Sequence, residues 1–285
     1  MTQPPTGLTR RRRRLSDEET ERRMLDAGVA MVGRSGLTVS VEHLGFEDVI
    51  REAQVSRSTV YRRWPYKDLF FSDLLRELAT GATPAAVSDE STAVSEIVRL
   101  LRDRLDWLAD DARRLDLLVD VIREGVRHDF ETMRGSVEWR TYLALHATYL
   151  SVEDDTLRFD LENALTHGEQ AFVDRIAAAW ERLSALLGYR LRPGSGMTFE
   201  ALARLLSADL RGHVLMALAS PDTGDRTVEA QPPGAAGRMP WTLPALAAVA
   251  IALTYFEPDP AVEWTSSRIA GVRDEIARLD GGQQA

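Results

Sequence analysis

Apolar residues recur through most of this chain at intervals of three and four, the spacing that lays them along one face of a helix. The first stretch opens at Ser16, with Glu19 three residues on, as a capping box. Met24, Leu25, Gly28, Met31 and Val32 form its stripe, and Gly36 is placed to end it. A second, short helix carries Phe46, Val49, Ile50 and Ala53. A third can begin after Ser56, a good N-cap, bury Val60 and Trp64 on one face, and stop at Pro65 after about two turns. A fourth is expected over 68–79. Further stripes predict helices over 94–108, 115–126, 139–150, 158–187, 199–219, 243–256 and 262–279. No segment reads as a strand. The expected fold class is all-α, with an N-terminal three-helix helix-turn-helix module and a larger C-terminal helical bundle.

Breaks in the pattern divide the chain. Residues 1–15 form a flexible basic arm and 16–80 the helix-turn-helix domain. Residues 90–285 form a second domain, with extra helices from about 241. Small residues around Pro84 mark a linker over 80–89, and a loop rich in Pro and Gly over 221–240 is expected to be mobile.

Charge changes this picture. The chain of 285 residues has a net charge of −9, which taken whole argues against a nucleic-acid partner. The first 80 residues, however, carry 14 basic and 12 acidic side chains, and the remainder 21 and 32. The acid thus lies outside the module. Arg10, Arg11, Arg12, Arg13 and Arg14 form an unbroken run just before the first helix. Such a run releases counterions from DNA and enters a narrow minor groove; the plainer reading is a solvated tail. There is no cysteine, which excludes disulfides and thiolate sites and fits a cytoplasmic protein. The N-terminus lacks the apolar core of a signal peptide. The most apolar run, 243–256, is shorter than the ~20 residues that span a bilayer, so no membrane association is expected.

The third helix concentrates the chemistry. With Val60 and Trp64 turned inward, Arg57, Ser58, Thr59, Arg62 and Arg63 project outward, and these side chains bond phosphates and base edges. A surface amphipathic helix is the plainer alternative. The stretches Glu52-Ala53-Gln54-Val55-Ser56, Thr59-Val60-Tyr61, Arg63-Trp64 and Lys67-Asp68-Leu69 resemble the signature of the tetracycline-repressor (TetR) family of transcriptional regulators. The resemblance spans residues 21–78, about a quarter of the chain. It implies that Tyr61, Arg63 and Lys67 bind phosphates. Lys67, the only lysine of the chain, would open the next helix, where its charge and the free N–H groups address one phosphate. Two positions depart from the family pattern. Gln54 stands where the turn usually has Gly, and Gly45 where a Thr or Ser usually contacts phosphate. The link over 37–44 is also longer than the family leads one to expect.

The second domain offers two readings. The helices over 158–187 and 199–219 carry small residues such as Ala177, Ala178, Ala179, Ala201 and Ala208, which permit close approach of a second copy; equally, they close the monomer core. Trp139, Tyr142, His146 and Tyr149 share one helix face, the equipment of a pocket for a small, largely apolar ligand. Trp107 and Phe172 can join them. An ordinary core face is the competing reading. Enzyme motifs are absent: there is no Gly-x-Ser-x-Gly, no phosphate loop ending in Lys-Ser/Thr and no His-Glu-x-x-His. The five histidines are scattered, so no catalytic residue, metal or cofactor is expected. The sequence therefore points to a homodimeric DNA-binding regulator, read as a repressor of a palindromic site on double-stranded DNA and released by a small effector. The alternative is a constitutive regulator whose C-terminal domain binds a protein partner.

Overall fold

The computed structural model describes residues 15–35, 44–81, 90–220, 222 and 226–281. The arginine run 10–14, most of the link over 37–44 and the linker over 82–89 lie outside the described residues. Eleven α-helices dominate the described residues: α1 (Asp17–Ser35), α2 (Phe46–Ala53), α3 (Arg57–Arg63), α4 (Lys67–Gly81), α5 (Glu90–Asp103), α6 (Asp111–Gly135), α7 (Val137–Leu150), α8 (Asp155–Leu186), α9 (Phe199–Ala219), α10 (Leu243–Tyr255) and α11 (Ser266–Gly281). The fold is all-α, as the periodicity indicates.

Short polar side chains set the helix boundaries. Ser16 Oγ accepts the Glu19 N–H at 3.0 Å, as the capping box requires. Asp110, Ser136, Asp154 and Thr198 do the same for α6, α7, α8 and α9. Each such cap contributes about 1 kcal/mol. Ser136 lets α6 and α7 follow one another with a single residue between them. Thr242 stands at the N-cap of α10 without a side-chain capping hydrogen bond.

Two expectations need correction. The stripe over 94–108 is not one helix: α5 stops at Asp103, and a 3-10 turn, Leu105–Ala109, follows. Short strands also exist. Tyr189–Leu191 (β1) pairs antiparallel with Phe256–Pro258 (β4), and Thr227–Ala230 (β2) with Met239–Thr242 (β3). The second pair lies mostly inside the stretch expected to be a mobile loop, 221–240. At three or four residues these strands are too short for alternation to reveal them.

Packing ties the module to the rest. Gly28 of α1 faces α4 so closely that a Cβ there would stand 2.8 Å from Leu74 Cδ1. The module's apolar cluster then runs on into α7 and α8, through Leu145, Val152, Leu157, Leu161 and Leu165. Arg76 of α4 reinforces this contact with a 2.7 Å hydrogen bond from Nε to Asp160 of α8. A second cluster joins α5, α6, α9, α10 and α11. The apolar helix α10 is a core element, burying Ala245, Ala248, Val249 and Ala252. Among the described residues no helix is long and apolar enough to cross a membrane.

Candidate nucleic-acid interface and ligand cavity

The turn between α2 and α3 is built as the sequence implies. Gln54 adopts φ 54°, ψ 38°, the left-handed region, and is the only non-glycine with positive φ among the described residues. Ser56 caps α3 by accepting the Thr59 N–H at 3.3 Å. Val60 and Trp64 are fully buried. Trp64 stacks edge-on against Phe70 at 5.2 Å and donates its indole N–H to Asp73 at 2.9 Å. These anchors fix the rotation of α3. Gly45 caps α2 without a side chain, and a Cβ there would lie 2.4 Å from Asp48 Oδ2. Asp48 thus occupies the space a Thr or Ser would need.

With that rotation, Arg57, Ser58, Tyr61 and Arg62 fall on one exposed face of α3. The Arg57 side chain is 73% exposed and that of Arg62 54%. Thr59 is half-buried beside Ser56, whose Oγ lies 2.8 Å from its hydroxyl. Arg63 turns toward α1 and gives a two-pronged bond to Glu21, at 3.0 and 3.1 Å. Lys67 is the first residue of α4, as expected, and is exposed with no carboxylate partner among the described residues.

The carboxylates around α3 were not foreseen. Glu47 pairs with Arg57 at 2.7 Å and accepts the Tyr61 hydroxyl at 2.9 Å. That hydrogen bond holds the Tyr61 phenol above its ordinary pKa. Asp17 pairs with Arg62, and the Glu21 bond raises the Arg63 pKa in turn. Exposed pairs of this kind contribute about 0–1 kcal/mol, so phosphate can exchange for carboxylate. They hold the guanidinium groups in place without burying them. Tyr66, 73% exposed between Pro65 and Lys67, is another member of this surface that the sequence reading passed over.

The six side chains expected to line a pocket do not assemble as one. Trp139, Tyr142, His146 and Phe172 come together, but as a filled core. Trp139 stacks on Tyr142 at 5.1 Å, and Tyr142 meets His146 at 4.2 Å. Tyr142 donates to Glu169 at 2.9 Å, Arg211 holds the same carboxylate at 2.9 Å, and the Arg211 guanidinium covers the Phe172 ring at 4.7 Å. Burial pushes the Tyr142 phenol well above its ordinary range. Tyr149 packs against the module's cluster, and Trp107 lies in the 3-10 turn under Arg104.

A cavity of about 640 Å³ opens elsewhere, between α5, α6, α8 and α11. Leu101, Val126, Ile176, Leu183 and Val272 give it apolar walls, and Asp129 stands among them. None of the six expected residues lines it. A signal for it existed in the sequence. Ile122, Val126, Asp129 and Met133 continue one stripe of α6, and a carboxylate occupies a place where the pattern calls for a hydrophobe.

No family model and no curated protein matches the chain. Among solved structures, full-length TylP, a TetR regulator from Streptomyces fradiae, aligns over 92% of this chain and 91% of its own, at 14% identity and a TM-score of 0.32. A superposition that loose decides neither fold nor activity.

Proposed function

We propose that the chain is a sequence-specific DNA-binding transcriptional regulator that represses from a palindromic operator as a homodimer and is released by a small molecule. The observation that carries this reading is the exposed face of α3. It presents Arg57, Ser58 and Arg62 outward from a helix whose rotation is fixed by fully buried Val60 and Trp64. Lys67 at the start of α4 adds beside it a cation with no carboxylate partner among the described residues. Side chains of this kind, on a helix this short, suit a major groove.

One copy of α3 reaches only a few base pairs, so two copies about one turn of DNA apart are needed for tight binding. Helix α9 supports self-association. Leu205, Ala208, Gly212, Leu215 and Met216 form an exposed stripe along it, with Leu215 55% and Met216 50% exposed. A second copy of the same stripe is the partner such small and apolar residues fit. The cavity favours the effector-responsive form over a constitutive one. Helix α8 touches α4 at Asp160 and lines the cavity at Ile176 and Leu183. A ligand with different affinity for two tilts of α4 would shift the spacing of the two α3 helices.

Selection of bound fragments from the source genome tests the reading, followed by titration against a selected fragment. Binding should weaken steeply with salt, and Leu205→Glu with Leu215→Glu should give monomers by light scattering and lose the fragment. Failure to enrich any duplex in dilute salt sinks the proposal.

A further inference from the structure

The cavity differs from an ordinary apolar void in one respect. Asp129 stands half-buried in its wall and has no hydrogen bond or ion pair among the described residues. Four charged residues contribute to the lining, and three of them are already satisfied or open to water. Arg268 is exposed and donates to the Ala185 carbonyl at 2.8 Å, close to the Trp264 ring. Glu275 pairs with Arg278 at 2.6 Å. Arg182 is exposed to solvent. The neighbours of Asp129 offer it little. Arg127 is taken by Glu124 and Glu131, at 2.9 and 3.1 Å. His128 faces Glu96, with Nδ1 at 3.9 Å, and acts on Asp129 through its charge alone.

We propose that this cavity binds a hydrophobic cation, a small molecule with an apolar body and one positive charge set against Asp129. The walls select the body, because apart from Trp180 and those four charged residues they are aliphatic or glycine. Asp129 selects the charge. A neutral ligand would cover this carboxylate without giving it a partner, and an anion set against it would add repulsion to that cost. A cation supplies the missing partner. Burial already pushes this carboxyl up to about 6, which leaves it ionised at neutral pH. The proposal also gives a role to the C-terminal helix α11, which closes one side of the cavity through Gly271, Val272 and Leu279.

The inference rests on the effector reading only for its biological meaning, so the test is run on the full chain without DNA. The probes are the neutral dye N-phenyl-1-naphthylamine, whose emission reports an apolar site, and two ions of nearly the same shape, tetraphenylphosphonium and tetraphenylborate. The cation should displace the dye at least about tenfold more effectively than the anion, a difference of 1.4 kcal/mol. Asp129→Asn should abolish that preference while leaving the affinity of the dye unchanged. Gly125→Met is the second variant. A Cβ at Gly125 meets only Ile97 Cδ1, at 3.5 Å, so the longer side chain can enter the cavity and should weaken both dye and cation. Equal displacement by the two ions, a cation affinity unmoved by Asp129→Asn, or dye binding indifferent to Gly125→Met each overturns the proposal. A cation that binds as expected yet leaves a DNA complex intact contradicts the effector reading alone.

Discussion

In the N-terminal module, Phe46, Trp64, Phe70 and Phe71 interlock with centroid separations of 5.2 to 6.4 Å and leave their space filled. Between α5, α6, α8 and α11, aliphatic side chains of similar apolarity leave about 640 Å³ open around a half-buried acid. Both regions are helical and both are lined by hydrophobes. The difference lies in where the polar groups go. The module directs its charges outward and pairs its one buried indole N–H with Asp73. The cavity holds a half-buried carboxylate that has no hydrogen-bonding partner among the described residues. A packed interior orients the charged surface of the module; an incompletely packed one retains room for a ligand.

The largest expected effect tests the filled side of this contrast. Trp64→Ala removes the anchor of α3 and should cost about 3–5 kcal/mol, as deletion of a buried ring does, read as a lowered urea midpoint. A much smaller loss would mean that the module is loosely packed. The open side is tested by Asp129→Asn. The folded-state pKa of Asp129, about 6, lies above the ordinary value near 3.9. The folded state therefore binds this proton more tightly than the unfolded chain, and the wild type loses stability as pH rises from about 4 through 6. The variant should be more stable at pH 7.5 by on the order of 2 kcal/mol, and the advantage should vanish near pH 4. An advantage independent of pH would show that the carboxylate is well solvated.

The exposed charges should respond more gently. Arg63→Ala and Lys67→Ala should each reduce the salt dependence of DNA binding by about one unit of slope and weaken all sequences alike. Lys67→Ala should have the larger effect on affinity, because Arg63 must first leave Glu21. Changes at Arg57 or Ser58 should instead alter the preferred sequence. Gln54→Gly relieves a left-handed residue and should stabilise the chain by about 1 kcal/mol in thermal unfolding. Tyr142→Phe lies at the bottom of the scale. It should leave dye and cation binding unchanged, since Tyr142 belongs to the filled core around Arg211.

The helices were legible because their cues are local. Ser16, Ser56 and Pro65 mark ends within a turn of the residues they affect, and the burial of Val60 and Trp64 follows from a spacing of four. The same cues placed Phe199–Ala219 at its observed bounds. Tertiary choices were not local. Trp139 and Tyr142 look alike as pocket wall and as core, and Arg211, far along the chain, decides for the core. Pairing of Arg62 with Asp17 likewise depends on how α1 crosses α3. The β1–β4 pair joins residues 67 positions apart, beyond the reach of any short-range pattern. Asp129 was visible as a break in a stripe, but only the packing of α11 turns that break into a cavity.

The central claim is that the exposed face of α3, presented by two copies, reads duplex DNA. Hydroxyl-radical footprinting on a genome-selected fragment tests it most directly. The expected result is two symmetric protected patches about one helical turn apart, centre to centre, both lost in Arg57→Ala with Arg62→Ala. A single patch, or a footprint untouched by those substitutions, would contradict it.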